Sequence, residues 1–262
     1  MRHVRSSSGA LVSYDAYGSG PPLVLVHGGF SDHHTNWEFV KPWLDRRFTI
    51  YAVARPGRGE TDATQGHSLE DEGQDVVSLI RAIDEPVFLL GHSYGGHVAL
   101  FAAAEVATRV RKLVVYEAAD PRHLGPDTMA RLEPFARAGD WDGFAVTFFR
   151  DVLSVPAHEI EVVRASPLWP PIVADAPASL NDLRALSRYE FRADRFRALP
   201  MPVTLQIGTE SPRHLYVTDA LAAVVAEVAI QELPGQAHEG MTTAPETYAQ
   251  GVIRVLLDLP SG

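Results

Sequence analysis

The pentapeptide Gly91-His92-Ser93-Tyr94-Gly95, followed by Gly96, places glycines two residues before and two residues after a serine. A serine hydroxyl is a weak nucleophile unless a base takes its proton and the backbone presents its oxygen. Here the pentapeptide follows the apolar run Val87–Leu90 and opens a helical pattern near Gly95. That strand–turn–helix context is the one a nucleophile elbow needs. The glycines let neighbouring backbone pass close to a strained serine, and the helix N-terminus favours negative charge developing there. Ser93 is the candidate nucleophile. A second glycine pair, His27-Gly28-Gly29-Phe30, follows the run Leu23–Val26. Acyl transfer needs backbone N–H donors aimed at a tetrahedral oxyanion. Tyr94, directly after the serine, supplies one donor, and Gly29 is expected to supply the other. His27 reads as a residue that braces this loop. Phe30 and Trp37 are candidate pocket walls, with ordinary packing as the alternative for both.

A base is then required, and with eleven histidines in the chain residue type alone decides nothing. Position does. His238 ends Pro234-Gly235-Gln236-Ala237-His238, between the last strand pattern and the last helical one. Such a loop reaches the sheet edge that carries the elbow. His92 and His97 flank the serine and are expected to pack into the turn and the helix. His33 and His34 are expected to face solvent near the glycine loop. Asp32 beside them has no second cluster to complete a ligand set, so no metal site is expected.

These loops need a scaffold. Leu23–Val26, Phe48–Ala54, Val87–Leu90 and Leu113–Tyr116 are continuous apolar runs. Asn36–Leu44, Leu69–Ile83 and Gly95–Val106 lie between them and carry helical spacing. Continuous strands separated by helices predict a parallel sheet covered on both faces. Residues 10–17 alternate, which predicts an antiparallel hairpin at the start. Strands return at Val203–Ile207 and Val228–Leu233, with helices at Leu215–Ala226 and Pro245–Leu257. From Asp120 to Leu199 no strand pattern is found, and the stretch holds Trp141, Phe144, Phe148, Phe149, Trp169, Tyr189 and a proline-rich run. The reading is an α/β core at 1–119 and 200–262, interrupted by a helical lid at 120–199. That insertion far exceeds the usual connection, and ligands bind at this edge of such sheets.

Composition narrows the partners. A formal net charge of −10 argues against a nucleic acid or an anionic membrane surface. The absence of cysteine removes thiolate metal sites and a cysteine nucleophile. The N-terminal Met-Arg-His-Val-Arg-Ser-Ser-Ser-Gly has no apolar core of a signal peptide, and no run approaches a membrane span. A cytoplasmic protein acting on a small molecule is the expectation.

The elbow, the His-Gly-Gly-Phe loop, the late histidine and the order serine–acid–histidine resemble the α/β-hydrolase superfamily over the whole chain. The resemblance implies a mostly parallel eight-stranded sheet flanked by helices, with an inserted helical cap. In most of that family the acid is an aspartate three residues after the glycine ending the penultimate strand. Here that glycine is Gly208, the position holds Ser211, and Glu210 falls one residue short. Other branches place the acid at the end of the strand after the nucleophile helix, which here is Glu117. One subgroup of haloalkane dehalogenases and the lactone hydrolases that open zearalenone are similar in this respect. Glu117 is the preferred acid and Glu210 the alternative. The resemblance implies a serine esterase or lactonase that needs no cofactor, with Trp141 and Trp169 as further pocket candidates. It leaves a carbon–carbon bond hydrolase and a non-enzymatic ligand receptor as alternatives. Relatives also carry an aspartate where this chain has Ala54, before Arg55-Pro56-Gly57-Arg58-Gly59.

Overall fold

The computed structural model describes residues 1–7, 9–63, 66–155 and 157–259. The chain opens with β1 (Arg2–Arg5), β2 (Leu11–Gly18), β3 (Pro22–Val26), α1 (Lys41–Leu44) and β4 (Thr49–Val53). It continues through α2 (Leu69–Ala82), β5 (Val87–His92), α3 (Tyr94–Glu105) and β6 (Val110–Tyr116). Four helices follow: α4 (Pro126–Ala138), α5 (Trp141–Asp151), α6 (Ala157–Arg164) and α7 (Trp169–Arg188). The chain closes with β7 (Val203–Gly208), α8 (Thr218–Ala222), β8 (Val228–Leu233), α9 (Gly240–Thr243) and α10 (Pro245–Leu256).

All eight strands form one sheet in the order β1-β2-β4-β3-β5-β6-β7-β8. β2 pairs antiparallel with β1 and β4, and the remaining pairs are parallel. Every residue of β3, β5 and β7 is buried, as their unbroken apolar runs require of strands covered on both faces. One face packs on α2, α3 and the inserted helices, the other on α1 and α10. Helix α3 is buried nearly all round and is built from small residues, so it sits close against the sheet. Helix α2 starts with a reciprocal cap, in which Ser68 Oγ accepts from Asp71 N–H and Asp71 Oδ2 accepts from Ser68 N–H. Parallel strands all end on one side, so the loops after β3, β5, β6, β7 and β8 converge there.

Two helices are shorter than their apolar spacing predicts. The stretch 36–44 holds turns before α1, with Trp37 N–H on His34 O and Val40 N–H on Trp37 O. These close i to i−3 turns. The expected helix at 215–226 contracts to Thr218–Ala222 because tertiary pairing captures its start. Tyr216 bridges Ala119, and Val217 N–H donates to Ala118 O. Between β6 and β7 the described residues contain helices and turns without a strand.

Candidate active site

Three residues outside glycine share a left-handed backbone near the sheet's carboxyl edge: Phe30 at φ 54°, Ser93 at φ 54° and Glu117 at φ 47°. Each costs of order 1–3 kcal/mol and persists only where surrounding structure enforces it. They follow β3, β5 and β6. For Ser93 the enforcement is steric. A Cβ on Gly91 would sit 2.3 Å from Gly95 O, and one on Gly95 would sit 2.3 Å from Val26 O. Only bare backbone fits at those two places. Ser93 N–H donates to Tyr116 O at 2.8 Å, which ties the turn to β6. Tyr94 opens α3, so its N–H is one of the amides a helix start leaves unpaired.

Glu117 is fully buried, and its Oε2 accepts from His238 Nδ1 at 2.7 Å. Its Oε1 accepts from Gly208 N–H at 2.8 Å. Burial pushes the Glu117 carboxyl up, but the hydrogen bond and charge of His238 outweigh it, and the group is held below its ordinary value. Burial likewise opposes a charged His238, and Glu117 outweighs it, so the imidazole is held above its usual range. Glu210 sits elsewhere: it is exposed, and among the described residues its carboxylate accepts from the neighbouring Thr209 hydroxyl.

Nδ1 of His238 is committed to Glu117, which leaves Nε2 outside that bond. Among the described residues no direct hydrogen bond joins the side chains of His238 and Ser93. His238 lies stacked on Tyr216 with ring centroids 5.5 Å apart, and 4.7 Å from the His92 ring. Tyr116 Oη bonds the loop on both sides, donating to Ala237 O and accepting from Gly240 N–H at 3.1 Å.

The histidines of the first two loops depart from expectation. His92 does not merely fill the turn. Its Nε2 meets His238 O at 3.0 Å and its Nδ1 meets Asn36 Oδ1 at 3.1 Å, so it braces the loop that carries His238. Burial and the nearby His238 hold its pKa well down. His97 packs as expected, with Nε2 on Ala119 O at 2.6 Å. His33 is buried at 2% exposure rather than solvent-facing, tucked where the Gly59 turn passes close by, while His34 is exposed. The carboxylate beside them is Asp15. Asp32 turns inward to cap its own loop, accepting from His34 and Thr35 N–H. His27 is buried, with Nδ1 on Gly28 O at 2.8 Å and Nε2 accepting from Arg55 N–H at 3.3 Å.

The aromatic candidates separate. Phe30 is buried among three rings of α5, with centroids 4.7 Å from Phe148, 5.2 Å from Phe149 and 5.8 Å from Phe144. Trp141 meets Phe144 edge-on at 5.7 Å, and Trp169 lies 6.2 Å from Phe149 with its Nε1 on Asp142. Trp37 is not part of this group. It lies in the core on the opposite sheet face, with Leu44 and Phe48, because the turns at 36–40 direct it under α1.

The largest feature the motifs did not signal is a buried charge cluster behind the Gly28–Gly29 loop. Arg55 pairs with Glu72 at 2.9 Å and Asp182 at 2.7 Å, and Arg58 pairs with Asp182 at 2.8 Å and Asp175 at 2.9 Å. Asp175 and Asp182 lie on α7. Burial pushes the Asp182 carboxyl up, but the charges of Arg55 and Arg58 more than offset it and hold the group low.

A profile of the alpha/beta hydrolase family matches residues 23–251. The chain belongs to the α/β-hydrolase family. This hydrolase is 29% identical over 200 residues to the pimeloyl-[acyl-carrier protein] methyl ester esterase of Methylococcus capsulatus, covering 73% of this chain and 76% of that one. A 34% identical match to an uncharacterized protein of Mycobacterium bovis covers 38% of the hydrolase and 30% of that relative's length. The crystal structure of an alpha/beta hydrolase from Sphaerobacter thermophilus superposes with a TM-score of 0.83 at 27% identity, covering 97% of this chain and 100% of that one. No described helix of the hydrolase is long and apolar enough to cross a membrane.

Proposed function

We propose that this hydrolase cleaves a carboxylic ester or lactone through an acyl-enzyme on Ser93, with His238 as base and Glu117 as acid. The observation that carries the reading is the Glu117–His238 hydrogen bond of 2.7 Å beside a serine held at φ 54°. Ser93 Oγ attacks the carbonyl carbon as its proton passes to His238 Nε2. The N–H groups of Gly29 and Tyr94 hold the oxyanion. The C–O bond to the leaving group breaks as the imidazolium returns the proton. Water, deprotonated by the same nitrogen, then attacks the acyl carbon and releases the acid and Ser93. Glu117 fixes the tautomer of His238 and stabilises the imidazolium. The esterase of Methylococcus capsulatus supports this reaction class. The helices of 120–199 serve as the cap over the site, and the aromatic group around Phe30 favours an apolar or aromatic acyl or alcohol part.

Lyase chemistry that calls on a lysine is disfavoured, since Lys41 Nζ lies over the Tyr17 ring and Lys112 donates to Val255 O. The test is a screen of p-nitrophenyl esters, lactones and thioesters with Ser93→Ala as the blank. Turnover by the native protein that the Ser93→Ala protein lacks supports the reading; equal rates in the two sink it. A vinylogous diketone acid hydrolysed in preference to every ester would assign carbon–carbon cleavage on the same residues. A saturable thermal shift with turnover slower than minutes would assign a receptor.

A further inference from the structure

We infer that Arg55 sets the orientation of the Gly28–Gly29 peptide, so that the Gly29 N–H faces the reacting carbonyl, and that Asp182 and Ser179 of α7 lock Arg55 and the loop in place. The inference rests on the oxyanion role proposed above for Gly29.

A peptide unit is planar, with its C=O and N–H pointing in opposite directions. The N–H of Gly29 therefore points away from wherever the oxygen of Gly28 is held. A glycine on each side leaves this unit unusually free to flip, because neither residue carries a Cβ to bar the alternative. Yet glycine is needed at position 28, where a Cβ would lie 3.0 Å from Ser93 Cβ and 3.1 Å from His92 Nδ1. The loop must approach the serine closely, so neither glycine can brace this peptide with a side chain of its own.

The rigidity comes from behind. Gly28 O accepts from Arg55 Nη2 at 2.9 Å, and His27 Nδ1 lies 2.8 Å from the same oxygen. The guanidinium is then fixed by the rest of its fork. Nε donates to His27 O at 3.0 Å, Nη1 donates to Glu72 Oε2 and Asp182 Oδ1, and Nη2 also donates to Asp182 Oδ2. All five donors are used, leaving no freedom to rotate. On the far side of Gly29, Phe30 N–H donates to Ser179 Oγ at 2.6 Å, and Ser179 Oγ donates to Asp175 Oδ2 at 2.7 Å. Gly29 is thus gripped through both neighbours. The same cluster reaches the second donor: Glu72 Oε1 accepts from Tyr94 Oη at 2.8 Å, and the Arg55 guanidinium lies 4.4 Å from the Tyr94 ring. One buried cluster therefore touches Tyr94 and both neighbours of Gly29, and α7 supplies Asp175, Ser179 and Asp182 to it.

Arg55 touches no reacting atom, so it is a positioning residue. The test uses Arg55→Lys and Ser179→Ala. Lysine keeps the charge, but one nitrogen cannot span His27 O, Gly28 O, Glu72 and Asp182 together. Ser179→Ala is a small change that removes the acceptor for Phe30 N–H, together with the bonds of that hydroxyl to Asp175 and Arg58, and it decides the matter if Arg55→Lys does not fold. With a p-nitrophenyl ester, kcat is expected to fall by about 10- to 100-fold, because a misdirected donor loses part of the 10²–10³ that a deleted one costs. KM should change by less than about threefold, since the donor acts on the transition state rather than on bound ester. Inhibition by a trifluoromethyl ketone, whose hemiketal on Ser93 carries an oxyanion, should weaken in parallel with kcat/KM. Folded variants that melt at lower temperature but keep the native kcat and ketone affinity would overturn the inference, because a purely structural cluster moves only the melting point. A native protein that turns over no ester and forms no adduct with the ketone overturns the ester reading as well.

Discussion

Replacing Glu117 by Gln changes one oxygen to an NH2 group and little else. The amide oxygen can still accept from Gly208 N–H, now 2.8 Å from Oε1, so the amide group turns toward His238 Nδ1, now 2.7 Å from Oε2. An amide N–H cannot accept from Nδ1–H. The imidazole must move its proton to Nε2, and Nε2 then cannot take the proton of Ser93. A tautomer error of this kind costs about 10⁴ in kcat where it has been measured in serine triads, which is about 5 kcal/mol at 1.36 kcal/mol per decade. We expect a loss of about 10³- to 10⁴-fold in Glu117→Gln. The acid limb of kcat/KM adds a second readout. Glu117 holds the His238 pKa up, and the free enzyme needs neutral His238, so removing the carboxylate moves that limb to lower pH. The assay is a pH–rate profile of p-nitrophenyl ester hydrolysis for the native enzyme, Glu117→Gln and Glu210→Gln. Glu210 is exposed, so its variant should retain native kcat. A larger kcat loss at position 210 than at position 117, or an unmoved acid limb in Glu117→Gln, would refute the assignment.

Phe30→Ala removes a buried ring that contacts three others, and by analogy with buried aromatic truncations should cost about 3–5 kcal/mol in denaturant unfolding; a loss under about 1 kcal/mol would show that the loop and α5 are not packed as described. Asp182 offers a pH test of the buried cluster. Its native pKa is depressed, so its stabilising contribution is present above the unfolded value of about 4 and is lost as pH falls through the lower native value. Asp182→Asn should therefore be less stable than native at neutral pH and lose less stability than native on acidification below about pH 4; parallel curves would contradict the direction of the shift.

The elbow, the strand runs and the hairpin were legible because their causes are local. Gly91 is demanded by backbone four residues away at Gly95, and an unbroken apolar run such as Leu23–Val26 already states that both faces are covered. Local patterns failed where distant chain competed for the same atoms. Val217 left its expected helix to bond Ala118, and the turns before α1 sent Trp37 to the far face of the sheet. His33 looked like a surface loop residue because nothing nearby in sequence announces the Gly59 turn that buries it.

Residue types and spacing determined the fold class, the place of Ser93 at a strand–helix turn and the topological position of His238. At that level the family resemblance favours Glu117 and keeps Glu210 as the alternative, since both lie near the end of a strand on the same edge. Tertiary structure brings His238 onto Glu117, 121 residues earlier in the chain, and leaves Glu210 exposed, which supports the proposal of Glu117 as the acid. It alone disclosed the grip of Arg55 on Asp182, 127 residues apart. The physical reason is the same in both cases. A hydrogen bond depends on donor–acceptor distances held to within a few tenths of an ångström, and for residues so far apart in the chain those distances are set by the sheet order and by the packing of α7, which no local pattern encodes.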